Sequence, residues 1–108
     1  MVNVKAAIYA RVGNANQIAE NQIEKCKRHC ESIGFEFSEI YVDERFSGLD
    51  LNRPSLRKMI NDASNGLFNV IISADSSRLF RLPADLLMFE HTLAQQNVKL
   101  MLVTHGEK

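Results

Sequence analysis

This chain of 108 residues lacks several features of secreted, membrane and polyanion-binding proteins. It has no charged-then-apolar leader and no long uninterrupted apolar run, so we expect a cytoplasmic protein without a membrane partner. Its 13 basic and 13 acidic side chains cancel, and net charge therefore supplies no long-range attraction to a polyanion. Any affinity for nucleic acid must come from local clusters of charge.

Cysteine and histidine are scarce. Cys26 and Cys30 lie four apart on a predicted helix, where they could form a metal site or a redox pair. They share the apolar face of that helix with Ala19, Ile23 and Ile33, so we interpret them as core residues. The histidines at positions 29, 91 and 105 form no pair with ligand spacing. We therefore predict no metal site and no cofactor.

The periodic segments predict a single α/β domain, residues 1–108. Apolar runs at residues 4–10, 70–74 and 98–103 and an alternating run at 35–42 are typical of strands. Helical periodicity marks residues 17–33, which Gly34 would cap, and residues 83–96. The βαβαβαβ order implies a mainly parallel sheet of about four strands with helices on both faces.

A third, shorter helix is predicted from Pro54 until Asn65 and Gly66 break the run. Its apolar positions are Leu56, Met59, Ile60, Ala63 and Leu67. The polar loop before it is long, and loops of that length usually have a function.

Six of the seven arginines lie in, or close to, segments that follow predicted strands. They are Arg11, Arg45, Arg53, Arg57, Arg78 and Arg81. These segments share the carboxyl edge of a parallel sheet, so we expect the arginines to converge on one crevice. Guanidinium groups grip phosphate oxygens in a fixed fork, which predicts a phosphate-binding crevice.

Each arginine also has an alternative interpretation. Arg45 and Arg57 are equally well explained as solvated surface charges. Arg11 and the pair at 78 and 81 would need partners near the core, either a phosphate or an internal ion pair with Asp43 or Asp75. We favour phosphate.

Three clusters follow the predicted strands in order. The first is residues 9–13 (Tyr-Ala-Arg-Val-Gly), with glutamines at 17 and 22; the second runs from 41 to 54; the third is residues 77–81 (Ser-Arg-Leu-Phe-Arg). Together they resemble the catalytic domain of the serine recombinases, the resolvase/invertase family, and most of all its large integrase and transposon branch. The resemblance extends from about Lys5 to Thr104.

The resemblance implies a role for each matching residue. The first strand of the family ends in Tyr-x-Arg-Val-Ser, whose serine attacks a DNA phosphate and becomes joined to the 5′ end; here that position is Gly13. The other matching catalytic positions are Arg11, Gln22, Asp43, Ser47, Arg53, Arg78 and Arg81, with Tyr9, Gln17, Asp75 and Ser77 in support. The phosphate-binding residues would be Arg11, Arg53, Arg78 and Arg81. Ser77 replaces an acidic residue of the family motif.

Position 13 decides which chemistry is open to the chain. Preorganised arginines can stabilise the charge that builds on a phosphodiester without a metal, and Asp43 or Asp75 would orient an arginine or handle a proton. Glycine has no oxygen, so attack from Gly13 is impossible. In-line attack by another hydroxyl needs placement to within about an ångström. The hydroxyls near the crevice are those of Tyr9, Ser47, Ser76 and Ser77.

Gly13 has further interpretations. It could serve a turn that needs a positive φ angle, although this does not explain the surrounding arginines. It is either natural to the protein or a substitution that inactivated an enzyme. We lean towards a natural variant.

We weigh three functions. The first is the catalytic module of a site-specific DNA recombinase that cuts and rejoins double-stranded DNA, expected here to be unable to cleave. The second is a non-catalytic DNA-binding or assembly protein on the same fold. The third, a phosphate- or nucleotide-binding enzyme, is disfavoured because there is no glycine-rich phosphate loop.

The resemblance also implies partners. Family members dimerise through a long helix after this core and recognise sites through a C-terminal DNA-binding domain, and neither occurs by Lys108. We therefore expect a longer parent protein that forms a homodimer or tetramer. Residues 1–108 alone should be a monomer or weak dimer.

Overall fold

The computed structural model describes residues 4–13, 19–74, 76 and 79–103. Its strands are β1 (Lys5–Val12), β2 (Glu36–Glu44), β3 (Val70–Ser73) and β4 (Lys99–Leu102). All the pairings among them are parallel, and the order across the sheet is β2-β1-β3-β4. The predicted parallel α/β sheet is confirmed.

The helices are α1 (Ala19–Ser32), α2 (Pro54–Ser64) and α3 (Pro83–Gln95). Proline opens α2 and α3, where its missing N–H breaks no helical hydrogen bond. Gly34 ends α1 as predicted, with a φ of 75° that lets the Phe35 amide donate to the Cys30 carbonyl at 3.1 Å. Within the described ranges, no helix combines the length and apolarity needed to cross a membrane.

Two apolar cores lie on opposite faces of the sheet, because neighbouring residues of a strand point to opposite sides. On one face, α1 packs through Cys26 and Cys30 against Ile8, and both cysteines are buried as expected. On the other face, α2 and α3 pack against Tyr9 and Tyr41. The helices therefore cover both faces, as the pattern predicts.

Two residues assigned to apolar faces by periodicity lie elsewhere. Ile33 follows the end of α1 and is 37% exposed, and Leu67 follows the end of α2 and is 46% exposed. Both stand in the turn after a helix, where the helical period no longer determines the direction of a side chain.

The strand order places a crevice at the carboxyl ends of β1 and β3. From β1 the chain passes outward to β2 and then returns across β1 to reach β3. The connections after β1 and β3 consequently lead to opposite faces of the sheet. In open α/β sheets ligands bind outside the strand ends at such a point, so the fold itself favours a site beside Arg11.

Candidate active site

Arg11 is fixed near the carboxyl end of β1. Its half-buried side chain donates from Nη1 to the Phe46 carbonyl at 2.8 Å. Its own carbonyl accepts a hydrogen bond from Nε2 of buried Gln22 at 3.2 Å. Arg11 is therefore tied both to the loop after β2 and to α1, which preorganises it at the crevice.

The backbone of a second arginine, Arg81, meets the same loop at Gly48. The Arg81 amide donates to the Gly48 carbonyl at 3.1 Å. A Cβ at position 48 would lie 3.0 Å from the Arg81 nitrogen and 3.4 Å from Nη2 of Arg11, so a side chain there would push the segments apart. The Arg11 guanidinium and the Arg81 backbone thus both approach this glycine closely. Arg81 is exposed, and so is Ser47, which precedes Gly48 in the chain.

Asp43 is buried beneath this crevice at the start of α2. Its carboxylate accepts hydrogen bonds from the Ser55 amide at 2.8 Å, the Leu56 amide at 2.9 Å and the Tyr9 hydroxyl at 2.7 Å. Free amides at a helix N-terminus favour negative charge, so this carboxylate caps α2. Its hydrogen bonds are made inside the protein, which suits a positioning role.

Arg53 is fully buried and all three of its nitrogens donate to protein oxygens. Nε donates to the Asp50 carbonyl at 2.7 Å, Nη1 to the Tyr9 hydroxyl at 3.1 Å and Nη2 to the Leu79 carbonyl. The guanidinium also lies 4.9 Å from the centre of the Phe80 ring. It therefore has no exposed surface to offer a phosphate in this conformation, unlike the arrangement that the resemblance implies.

Tyr9 links Asp43 to Arg53. Its hydroxyl donates to the carboxylate and accepts from the guanidinium. Burial raises the pKa of the Tyr9 hydroxyl well above its usual range, although Arg53 acts in the opposite direction. The phenol consequently stays protonated, and it is enclosed rather than open to the crevice.

The other described hydroxyls near the crevice belong to Ser47 and Ser76. Ser47 is exposed, and its Oγ accepts a hydrogen bond from the Leu49 amide at 3.0 Å. Ser76 is half-buried, and its carbonyl accepts the amides of Leu79 and Phe80 at 3.0 Å. Ser47 is thus the more accessible hydroxyl.

The structure divides the described site residues between two levels. The crevice level holds Arg11, Ser47 and Arg81, with exposed Gly13 just beyond β1 and Gln22 bound to the backbone of Arg11. The buried level holds Tyr9, Asp43 and Arg53. Gln17, Asp75, Ser77 and Arg78 lie outside the described residues. In the part of the chain that is described, no group of three or more histidine, cysteine, aspartate or glutamate side chains could hold a metal ion.

Two residues that contribute to the site are not among the predicted site residues, although one of them, Gly48, lies within the second cluster of the sequence. Gly48 permits the approach of Arg11 and Arg81, and Ser55 joins α2 to β2 through an Oγ hydrogen bond to the Val42 carbonyl at 2.7 Å. A glycine in a polar loop between two arginine-bearing segments is a signal that could have identified Gly48. The contact of Ser55 has no such signal, because it depends on the angle at which α2 meets the sheet.

The sequence of this chain is similar to those of known proteins. The family model described as the resolvase N-terminal domain matches residues 6–108. A Bacillus subtilis (strain 168) protein named "Putative DNA recombinase" is 36% identical over 106 residues, which cover 94% of this chain and 20% of that protein. The chain therefore spans about a fifth of the length of this relative. "Uncharacterized immunity region protein 3" of Bacillus phage phi105 is 37% identical over 65 residues, covering 56% of this chain and 79% of that protein.

The fold of this chain is also similar to those of solved structures. The N-terminal catalytic domain of TP901-1 integrase has a TM-score of 0.89 at 29% identity, covering 94% of this chain and 79% of that one. The C-terminal catalytic domain of ISC1926 TnpA, an IS607-like serine recombinase, has a TM-score of 0.86 at 26% identity, covering 93% and 70%. The parallel sheet, the arginines at its carboxyl edge and these matches agree, and the chain belongs to the resolvase family of serine recombinases, with the fold of their catalytic domain.

Proposed function

We propose that this chain is the catalytic-domain module of a site-specific DNA recombinase that retains a phosphate-binding crevice and lacks the attacking hydroxyl. The observation that carries the proposal is the close approach of the Arg11 guanidinium and the Arg81 backbone at Gly48, near a strand end where Gly13 replaces the family's serine. In the family that serine forms a phosphoserine link to DNA. Glycine can form no such link, so strand cleavage from this position is lost.

The arginines suit the charge of the reaction. Displacement at a phosphodiester increases negative charge on the nonbridging oxygens, and fixed guanidinium groups stabilise it. A charge-assisted hydrogen bond contributes about 1.5–3 kcal/mol, so Arg11 and Arg81, with Arg78 added by resemblance, can hold a phosphate tightly. The Arg11 guanidinium is held in place by its hydrogen bond to the Phe46 carbonyl.

The buried residues support this site from below. Arg53 donates to Leu79 and Tyr9, and Tyr9 donates to Asp43, so one network joins β1, the loop after β2 and the segment that carries Arg81. We therefore assign Asp43 and Arg53 as positioning residues. A phosphate contact from Arg53 would require the loss of buried hydrogen bonds, each of which is costly to leave unmade.

No described hydroxyl replaces the missing one well. Tyr9 is buried and bound to a carboxylate, and the Ser47 hydroxyl accepts from a backbone amide of its own loop. Displacement is sensitive to about an ångström in the position of the attacking atom. The crevice should accordingly bind DNA without becoming joined to it.

The partners follow from this assignment. Double-stranded DNA is the proposed ligand, recognised site-specifically by a longer parent protein that assembles as a homodimer or tetramer. Residues 1–108 alone should be a monomer or weak dimer. A stable tetramer of this segment in light scattering would contradict that assignment.

A second candidate is a non-catalytic DNA-binding or assembly protein built on the same fold. Gly13 favours it, because a protein that only binds DNA has no use for a nucleophile. The recombinase module and a protein that only binds DNA both require the arginine crevice to bind phosphate, whereas a protein that only assembles with partners does not. The two candidates differ in whether restoring a serine at position 13 restores covalent chemistry.

Binding to a short labelled DNA duplex at low salt tests the crevice. The phosphate contribution is independent of sequence, so any duplex serves. Arg81→Ala should weaken binding and make the negative slope of log K against log salt concentration shallower by about 0.9 for one lost contact. Arg28→Ala is the control, since Arg28 lies in the last turns of α1 and pairs with Glu24 at 3.5 Å. Unchanged binding by Arg81→Ala would contradict the proposal.

A further inference from the structure

Arg45 has a backbone conformation that arginine seldom adopts. Its φ is 66°, in the left-handed region, and its side chain is exposed. The other non-glycine residue with positive φ in the described ranges is Asn97, a type that tolerates this region because of its short polar side chain. Arginine has no such adaptation. Strain of this kind persists where the surrounding structure imposes it, and it is concentrated at functional sites.

Hydrogen bonds next to Arg45 impose the conformation. The Arg45 amide donates to the Val12 carbonyl at 2.6 Å, and the carbonyl of the next residue, Phe46, accepts from Nη1 of Arg11 at 2.8 Å. Both bonds draw the turn after β2 against the end of β1. Val12 directly precedes Gly13, so the turn carries residue 45 to the rim of the crevice beside the nucleophile position.

Glycine would make this turn without strain, yet an arginine occupies it. Among the described residues, the Arg45 side chain has neither an ion pair nor a hydrogen bond. Two other exposed arginines do have partners: Arg28 pairs with Glu24, and Arg57 donates to Asn52 Oδ1 at 2.9 Å. The guanidinium of Arg45 is therefore available to a ligand, although an arginine at this position strains the backbone.

We propose that Arg45 is an additional DNA-phosphate-binding residue, placed beside Gly13 by the left-handed turn after β2. It would contact the DNA backbone next to the phosphate held by Arg11 and Arg81. The inference rests on the proposed function, because it needs DNA in that crevice. Arg45 would then belong to the binding site and would not be a solvated surface charge.

Three substitutions of Arg45 separate its charge from its backbone strain. Arg45→Gly should raise the melting temperature, because it relieves the strain, and should weaken binding of a short DNA duplex about threefold to fivefold at moderate salt. Arg45→Ala should weaken binding equally without raising the melting temperature. Arg45→Lys keeps the charge and should bind nearly as the parent does. The negative slope of log K against log salt concentration should become shallower by about 0.9 for the glycine and alanine variants only.

Arg81→Ala and Arg28→Ala, measured in the same assay, separate the inference from the proposed function. If Arg81→Ala weakens binding while Arg45→Gly and Arg45→Ala bind as the parent does, Arg45 is a solvated charge and the inference is wrong. If neither Arg81 nor Arg45 variants alter binding, the crevice does not bind DNA and the proposed function fails as well. A loss with Arg45→Lys as large as with Arg45→Ala would show that charge is not the cause.

Discussion

Removing the side chain of Arg53 should lower the free energy of unfolding of this domain far more than removing the side chain of any exposed arginine. Arg53→Ala removes the guanidinium that donates hydrogen bonds to the carbonyls of Asp50 and Leu79 and to the Tyr9 hydroxyl. It also leaves a cavity next to the Phe80 ring, against which the guanidinium packs at 4.9 Å. The substitution therefore breaks the network that joins β1 to both loops of the crevice.

The magnitude follows from the groups left behind. A buried acceptor without its donor costs about 1–3 kcal/mol, and two carbonyls and a phenol oxygen are affected here. These losses are not additive, so we expect a decrease in the free energy of unfolding of about 4 kcal/mol. Domains of this kind have a total stability of about 5–15 kcal/mol. The melting temperature should therefore fall by on the order of 15–30 °C.

Urea unfolding followed by far-ultraviolet circular dichroism measures this directly. Arg81→Ala is the matched control, because Arg81 is exposed and its side-chain loss should change stability by less than about 0.5 kcal/mol. Arg53→Lys should be intermediate, since an ammonium group keeps the charge without the planar fork. If Arg53→Ala unfolds at the parent's urea concentration and loses only DNA affinity, Arg53 is a phosphate ligand and the positioning role is refuted.

Three further predictions concern the loop, the core and pH. Gly48→Ala should weaken duplex binding, because its Cβ would lie 3.0 Å from a backbone nitrogen of the opposing segment; parent-like affinity would contradict that close approach. Burial raises the pKa of the Cys26 thiol to about 12 and also raises that of Cys30. An aromatic disulfide reagent should thus label neither thiol until denaturant is added, and rapid native labelling would contradict their burial. The Tyr41 hydroxyl, which donates to Asp62 at 2.6 Å, holds the pKa of that carboxyl below its ordinary value. This stabilisation is complete above the unfolded-state pKa and is lost as pH falls through the folded-state pKa, so the stability difference between the parent and Asp62→Asn should shrink in acid.

The fold could be predicted closely from the sequence because local signals agree with the tertiary structure. Pro54 and Pro83 open helices, and Gly34 follows one, since these residues have backbone preferences of their own. The central strands β1 and β3 are apolar runs that lie buried in the parallel sheet, and the edge strand β2 shows the alternation of a half-exposed strand. Errors occur at Ile33 and Leu67, where the chain leaves a helix and tertiary packing sets the direction of the side chain.

The candidate site could be predicted only in part. The carboxyl edge of the sheet brings Arg11 and Arg81 together, and this follows from topology alone. Topology does not determine whether an arginine at that edge points into the crevice or into the core. Arg53 is buried because the Tyr9 hydroxyl and the carbonyls of Asp50 and Leu79 offer acceptors below the edge. Tyr9 and Leu79 are distant from Arg53 in sequence, so spacing cannot identify them as its partners.

The most direct test of the central claim is whether a hydroxyl at position 13 rearms the crevice. The protein in its full encoded length, with Gly13 and with Gly13→Ser, would be incubated with supercoiled DNA carrying the sequences that flank its gene. Covalent protein–DNA adducts would then be counted on denaturing gels. The account predicts adducts with serine and none with glycine. Adducts with Gly13 itself would contradict it, because another hydroxyl would then attack; adducts with neither would contradict a rearmable active site and favour a protein that only binds or assembles.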